Sequence, residues 1–316
     1  MAMSIANQAS EITLPPVNPG CANLLEFLCR QFPRIAPDIW QQRFADGKIH
    51  WFGGETVTAT TPFSPSRRLC YYREVVAEPK IPFAEQLVYQ DEHILVACKP
   101  HFLPVTPGGE YVNECLLVRL KQQYQLEDLV PVHRLDRETA GLVLFSKKPE
   151  SRAAYYQLFA SGQIKKSYQA VAALPSGPQF SASQQFSAGQ PFLAGQQWQV
   201  QNRLEKSDPK FLMQQVEGEI NARSNIQLLE IKQGFGLFAL EPLTGKTHQL
   251  RLHMLGLGLP LLYDKYYPTL LPKEKLTFSQ PLQLLAKTLS FIDPVSGQPQ
   301  NFCSERQLQS WVELSG

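Results

Sequence analysis

Charge of one sign is what this 316-residue chain lacks: 30 lysines and arginines stand against 28 aspartates and glutamates, a formal net charge of +2. So slight an excess excludes a molecule-wide basic field, and any contact with a polyanion must come from a local surface. Cysteine is scarce and scattered. Cys21, Cys29, Cys70, Cys98, Cys115 and Cys303 form no CxxC pair, so neither a zinc site nor a disulfide framework is expected, and reduced thiols are the default. Long apolar runs are missing as well. No window has the length and apolarity of a membrane span. Residues 1–20 lack a basic stretch followed by an apolar one, so no signal peptide is expected and the protein is read as cytoplasmic. The glycine fingerprints that cradle phosphates in P-loop and dinucleotide-binding proteins are also missing. What is present is a hydrophobic content of 43% and an aromatic content of 10%, enough for a substantial core.

Along the chain, residues 1–20 are polar, end in Pro15, Pro16 and Pro19, and read as a mobile tail. Leu24, Leu25 and Leu28 then share a helical face, Pro33 ends that helix and Pro37 opens the next. Residues 48–52 and 55–58, joined by Gly53-Gly54, read as a hairpin. Residues 78–82 read as a linker. Beyond it come a strand pair around Asp91-Glu92, a helix over residues 114–124, a helix opened by Pro149 and closed by Ser161-Gly162, and an alternating strand over residues 164–173. Period two places Ile164, Lys166, Tyr168 and Ala170 on one face of that strand. Residues 175–202 carry no charged side chain but four large aromatics (Phe180, Phe186, Phe192 and Trp198), too many for a plain linker, and read as a loop or hairpin insertion; residues 207–224 read as another loop, making 175–225 insertion-rich. Strands over residues 226–231 and 237–240 precede Thr247, a candidate N-cap for a helix ending at Gly256 or Gly258. Short turns join strands more often than helices do. The expected class is therefore α+β, with a mixed, largely antiparallel sheet rather than a doubly wound parallel one.

One stretch stands out chemically. Six of the seven residues of His133-Arg134-Leu135-Asp136-Arg137-Glu138-Thr139 are polar or charged, and the run feeds through Ala140-Gly141 into Leu142-Val143-Leu144-Phe145, the pattern of a strand buried on both faces. A charged loop on a buried strand is a reactive loop on a rigid support. The run resembles the H-R-L-D-x-x-T-x-G signature of the RluA-type pseudouridine synthases. Further segments match in order. Lys99-Pro100 follows an acidic turn and a buried strand; Lys166-Ser167-Tyr168 matches a K-x-Y block; residues 244–253 read TGKTHQLRLH against T-G-R-T-H-Q-(L/I)-R-x-H. Lys246, Tyr263 (where the family has glycine) and Leu284-Leu285-Ala286 (where it often has L-H-A) depart from the pattern, and nothing catalytic is expected of the last.

The resemblance, over residues 87–302, implies isomerisation of uridine to pseudouridine in RNA, without metal or cofactor. It implies that Asp136 is the catalytic carboxylate, that Arg251 pairs with it, and that Tyr168 stacks on the extruded base and reaches its edge. Arg134 would fill the gap left by the flipped nucleotide, His133 would orient the loop, and Lys166, Lys246 and His248 would contact RNA. Residues 21–76 resemble, more loosely, an S4-like RNA-binding module, with Arg43 and Lys48 among the cations expected to meet phosphate. The expected layout is a tail over 1–20, the module over 21–78 and a catalytic domain over 79–316. The expected partner is structured RNA, ribosomal RNA first and transfer RNA as the alternative; no membrane and no obligate protein partner is expected. Two other readings compete: a non-catalytic RNA-binding protein of the same fold, and a metal-dependent hydrolase using His133, Asp136, His248 and Asp264.

Overall fold

The computed structural model describes residues 3–175, 192–272 and 277–314. The chain divides into two compact units, Met1–Lys80 with Pro107–Glu114, and Ile81–Thr106 with Cys115–Gly316.

In the first unit, β1 (Met3–Ile5) pairs with β5 (Glu74–Val76), and β4 (Arg68–Tyr71) lies between β2 (Ser10–Thr13) and β3 (Ile49–Trp51). The expected mobile tail thus supplies two strands, and Leu14 is buried in the unit's core with Leu24, Trp40, Trp51 and Leu69. Helix α1 (Leu24–Gln31) is capped by Asn23, whose side chain accepts from the Glu26 amide, and α2 (Pro37–Ala45) opens on Pro37. The expected hairpin is not the one that forms. Residues 55–58 reach β3 only through a single bridge, His50 to Thr56. The Thr58 amide instead donates to Thr61 Oγ1 at 2.9 Å, which draws the segment into a turn and leaves β3 to pair with β4.

The second unit is built on one eleven-stranded sheet. Its path runs β12 (Met213–Val216), β11 (Gln197–Lys206), β13 (Ala222–Lys232), β14 (Phe235–Pro242), β10 (Lys165–Ala173), β15 (Leu284–Ile292), β9 (Ala140–Ser146), β7 (Ile94–Lys99) and β6 (Gln86–Gln90), with β16 (Pro299–Cys303) on β15 and β8 (Val130–Pro131) on β9. Only β9 and β15 run parallel; every other pairing described is antiparallel. The expected mixed, largely antiparallel sheet is what is observed. Helices α3 (Leu116–Tyr124), α4 (Pro149–Ala160), α5 (Gln249–Gly256) and the short α6 (Gln309–Glu313) complete the described elements. Much of the expected insertion is core. Trp198, Val200, Asn202 and Leu204 alternate inward on β11, and residues 213–216 return as β12. Phe180 and Phe186, also read as part of it, lie outside the described residues.

The parallel pair has a specific cause. Gly141 has φ +115°, a conformation that side-chain-bearing residues rarely adopt. A Cβ there would sit 2.2 Å from the Ala286 carbonyl oxygen. The glycine lets β9 close on β15 at Ala286, which on its other side faces Tyr168. It also turns the pleat: Ala140 packs with Val171 and Leu285, while Leu142 and Leu144 pack with Tyr155 and Leu289. Gly141→Ala should therefore destabilise the protein by about 2 kcal/mol or more, from the left-handed backbone and the backbone clash together, read as a lowered urea midpoint.

Candidate active site

The loop between β8 and β9 carries Asp136, and its own backbone is tied down at several points. The Val132 amide donates to the Leu144 carbonyl at 2.9 Å, and His133 Nε2 accepts from the Leu144 amide at 3.0 Å while its ring stacks on Phe159 at 4.6 Å. The Thr139 amide donates to the Asp136 carbonyl at 3.1 Å. Lys99, fully buried, donates to the carbonyls of Arg137 (2.9 Å), Leu103 (2.6 Å) and Pro100 (3.0 Å). His101 Nδ1 donates to the Glu138 carbonyl at 2.7 Å. Arg137 clasps the buried Glu138 carboxylate through Nε and Nη2. Both peptide carbonyls after Asp136 are thus held by buried side chains. Burial pushes Lys99 down to about 7, against the opposing pull of the Glu138 and Asp136 carboxylates.

The second half of the site comes from α5. Gln249 fixes its entry. This buried side chain accepts from Thr244 Oγ1 (2.7 Å) and the Lys246 amide (3.0 Å), and donates to the Arg223 carbonyl and Ser224 Oγ, both at 2.9 Å. Gln249 therefore does the work expected of Thr247. The residue at the N-cap position is His248, left-handed at φ 53° and without a side-chain cap bond.

Arg251, one turn on, is 1% exposed, as is its partner Asp264. Arg251 Nε and Nη2 donate to Asp264 Oδ2 and Oδ1 at 2.8 and 2.5 Å, and Asp264 Oδ1 also accepts the amides of Tyr266 (2.8 Å) and Tyr267 (3.1 Å). The guanidinium lies 4.6 Å from the Tyr266 ring centre. Two of its nitrogens are thus occupied. The third, Nη1, is buried with no hydrogen-bond partner and lies 3.6 Å from Asp136 Oδ2. His248 Nε2 lies 3.8 Å from the same oxygen, and its Nδ1 is 2.8 Å from the Tyr267 hydroxyl. Burial lowers the His248 pKa, against the pull of Asp136.

Tyr168, half-buried on β10, has its phenol pushed far above the usual range by burial first and the Asp136 charge second. At neutral pH it is a neutral hydroxyl that can donate a hydrogen bond.

The structure therefore brings together Asp136, Arg251 and His248, with Tyr168 in the field of the carboxylate. His133 and Lys166 form a group of their own, with Lys166 Nζ 5.8 Å from the Phe159 ring on which His133 stacks. Arg134 and Lys246 are exposed. In the other unit, Arg43 is not at the surface. It is buried on Trp40 and bonded to Glu74 Oε2 at 3.0 Å, and Lys48 bridges Asp46 (2.7 Å) and Glu74 (2.6 Å). Sequence reasoning missed Lys99, His101 and Gln249 as supports of the site, and Asp264 as the anchor of Arg251. Lys99-Pro100 and the aspartate after Pro260 did stand in matched segments, but nothing in their spacing said which groups they would hold. The hydrolase reading loses its ligand set: Asp264 is engaged by Arg251 and His133 by Leu144. Among the described residues no three His, Cys, Asp or Glu side chains are placed to hold a metal ion.

A carboxylate on the loop before β9, an arginine on α5 and a half-buried phenol on β10 make up the site, on a mixed, largely antiparallel sheet. Two solved human structures share that fold: RNA pseudouridylate synthase domain containing 1 (TM-score 0.54, 21% identity, 72% of this chain and 86% of that one) and domain containing 4 (TM-score 0.52, 23% identity, 72% and 91%). The family profile described as RNA pseudouridylate synthase matches residues 93–255. A protein of Synechocystis sp. named as an uncharacterized RNA pseudouridine synthase is 31% identical over 246 residues, 77% of this chain and 79% of the relative. The dual-specificity RNA pseudouridine synthase RluA of Vibrio cholerae is 31% identical over 219 residues, 69% and 81%. The chain belongs to the RNA pseudouridine synthase family, of the RluA type.

The buried imidazoles give a pH dependence. Folding lowers His133 to about 3 and both His101 and His253 to about 4, from an ordinary 6.5, in each case mainly by burial. Below about 6.5 the unfolded chain takes up protons that the folded one refuses, so stability is full above that pH and falls as the pH drops towards 4. Urea midpoints should be lower at pH 5 than at pH 7.5. His133→Gln, which keeps an acceptor for the Leu144 amide but does not titrate, should make the drop smaller.

Proposed function

We propose that Asp136 is the catalytic residue of this synthase and that Arg251 holds it. The carboxylate attacks or deprotonates during detachment of the uracil, its rotation and its rejoining to ribose through carbon 5. The observation that carries the reading is the buried, unsatisfied Arg251 Nη1 facing Asp136 Oδ2 at 3.6 Å. The gap is longer than a hydrogen bond, and bound RNA would close it, as catalytic contacts commonly tighten when substrate arrives. Tyr168 stacks on the flipped base and donates its hydroxyl to the base edge. Arg134, exposed beside Asp136, enters the vacated stack.

The substrate is structured RNA, with ribosomal RNA the first expectation and transfer RNA the alternative. The name dual-specificity, carried by the Vibrio relative, supports holding both. The S4-like reading of the first unit would add phosphate contacts, but Arg43, Lys48, Arg67 and Arg68 are all paired with carboxylates there, so cations of the second unit, the exposed Arg134 and Lys246 and the half-buried Lys166, carry more of that role.

Asp136→Asn should fold and bind RNA, because affinity comes mainly from phosphate contacts, yet release no tritium from carbon-5-labelled uridine. Arg251→Ala should lower turnover severely, and the double variant should be little worse than Asp136→Asn, since the two groups act as one unit. Full activity in folded Asp136→Asn protein would sink the assignment. Pseudouridine mapped nucleotide by nucleotide in RNA from cells with and without this protein should show loss at discrete sites in ribosomal RNA; losses confined to transfer RNA would replace the first expectation with the second.

A further inference from the structure

Beside the site lies a second concavity that the chemistry does not use. A cavity of about 340 Å³ opens between α5 and the β11–β12 hairpin, lined by Leu212, Met213, Leu252, Leu255, Tyr266 and Tyr267. That volume is at the lower end of small-ligand pockets. It is continuous with the catalytic groups through its two tyrosines. Tyr267 meets His248 Nδ1, and Tyr266 has the Arg251 guanidinium over its ring at 4.6 Å. On the outer side, Phe211 projects from the hairpin turn, 52% exposed, with its ring 5.5 Å from that of Tyr266. Lys206 and Lys210, both just before Phe211 in the sequence, are exposed on the same turn. Aromatic rings with cations on the adjoining turn, one step from where the target uridine must sit, make a stacking site for a nucleobase whose backbone the lysines can meet.

We propose that this cavity receives a second base of the same RNA strand, one flanking the target uridine, stacked against Tyr266 and Phe211. It is a specificity subsite for the reaction and rests on the synthase reading above. Its occupant is RNA rather than a protein side chain because the cavity shares Tyr266 and Tyr267 with the surroundings of Asp136, past which the RNA strand must run.

Two variants test it without touching Asp136, Arg251, His248 or Tyr168. A Cβ at Gly256 would meet only Gln215 Oε1, at 3.7 Å, so Gly256→Phe can fill the cavity from its rim. Phe211→Ala removes the exposed ring. Wild type and variants, their folding checked by urea midpoint, are incubated with total RNA from cells lacking the protein, and pseudouridine is mapped. The shortest RNA containing a modified site is then synthesised with an abasic nucleotide at each position around the uridine. Both variants should raise KM about tenfold, the scale of one lost aromatic–base stack, with the effect on KM rather than kcat. One abasic position should cost wild type a similar factor and cost Gly256→Phe almost nothing, because each change removes the same contact. Variants with wild-type KM, or no abasic position whose cost vanishes in the variant, would overturn the subsite and leave the synthase reading intact; this is also the result if the cavity serves a protein partner. Absence of any pseudouridine made by wild type would instead bring down the enzymatic reading, and the subsite with it.

Discussion

The bidentate pair between Arg251 and Asp264 is what the site depends on. Both side chains are 1% exposed, and an arginine so placed needs a fixed counter-charge. Asp264 supplies it and is itself oriented by the amides of Tyr266 and Tyr267. This arrangement uses one edge of a planar group and leaves the other edge, Nη1, directed at Asp136. The direction from which the Asp136 carboxylate is met thus follows from a structural ion pair behind the arginine. Removing Asp264 would leave a buried cation with its nearest remaining carboxylate at Asp136, mixing the structural and the chemical roles.

The loop that carries Asp136 is rigid for a different reason. Its ordering groups are buried side chains acting on backbone carbonyls: Lys99 on Arg137 and His101 on Glu138. Such bonds replace the strand ladder that the loop does not have. The depressed pKa of Lys99 comes from burying an ammonium whose hydrogen bonds go to carbonyl oxygens. That the nearby carboxylates of Glu138 and Asp136 oppose the shift ties the loop's integrity to the charge it presents to substrate.

Much of this was legible in sequence, and the failures are informative. The run from His133 to Gly141 announced a charged loop on a buried strand, because four apolar residues in succession suit a strand covered on both faces, and β9 is buried throughout. The antiparallel character followed from short turns. What failed was assignment by composition. Residues 1–20 look like a tail, but Leu14 is enough to bury one end of them. The uncharged glutamine-rich stretch reads as a loop or hairpin insertion, and it does run into a hairpin, yet Trp198 and Val200 at its end alternate with Leu204 beyond it and form a core strand; the period-two signal was there and the polarity of the intervening residues hid it. Thr247 satisfied a local capping rule that Gln249 overrode through contacts with Arg223 and Ser224, more than twenty residues away in sequence. Long-range hydrogen bonds of that kind leave no local signature, and the same holds for the link from Arg251 to Asp264 and from Lys99 to Arg137.

The position of β15 has a consequence in time. Among the described strands it alone lies between β9 and β10 in the sheet, although it is made long after both. Without residues 284–292 the remaining described strands fall into two part-sheets, one continuing from the Asp136 loop and the other carrying Tyr168, each with an open strand edge for the same partner. That one strand closes both edges and sets the loop of Asp136 beside the strand of Tyr168. The two halves of the site are therefore joined through the last long strand of the sheet in chain order, a contact of high sequence separation.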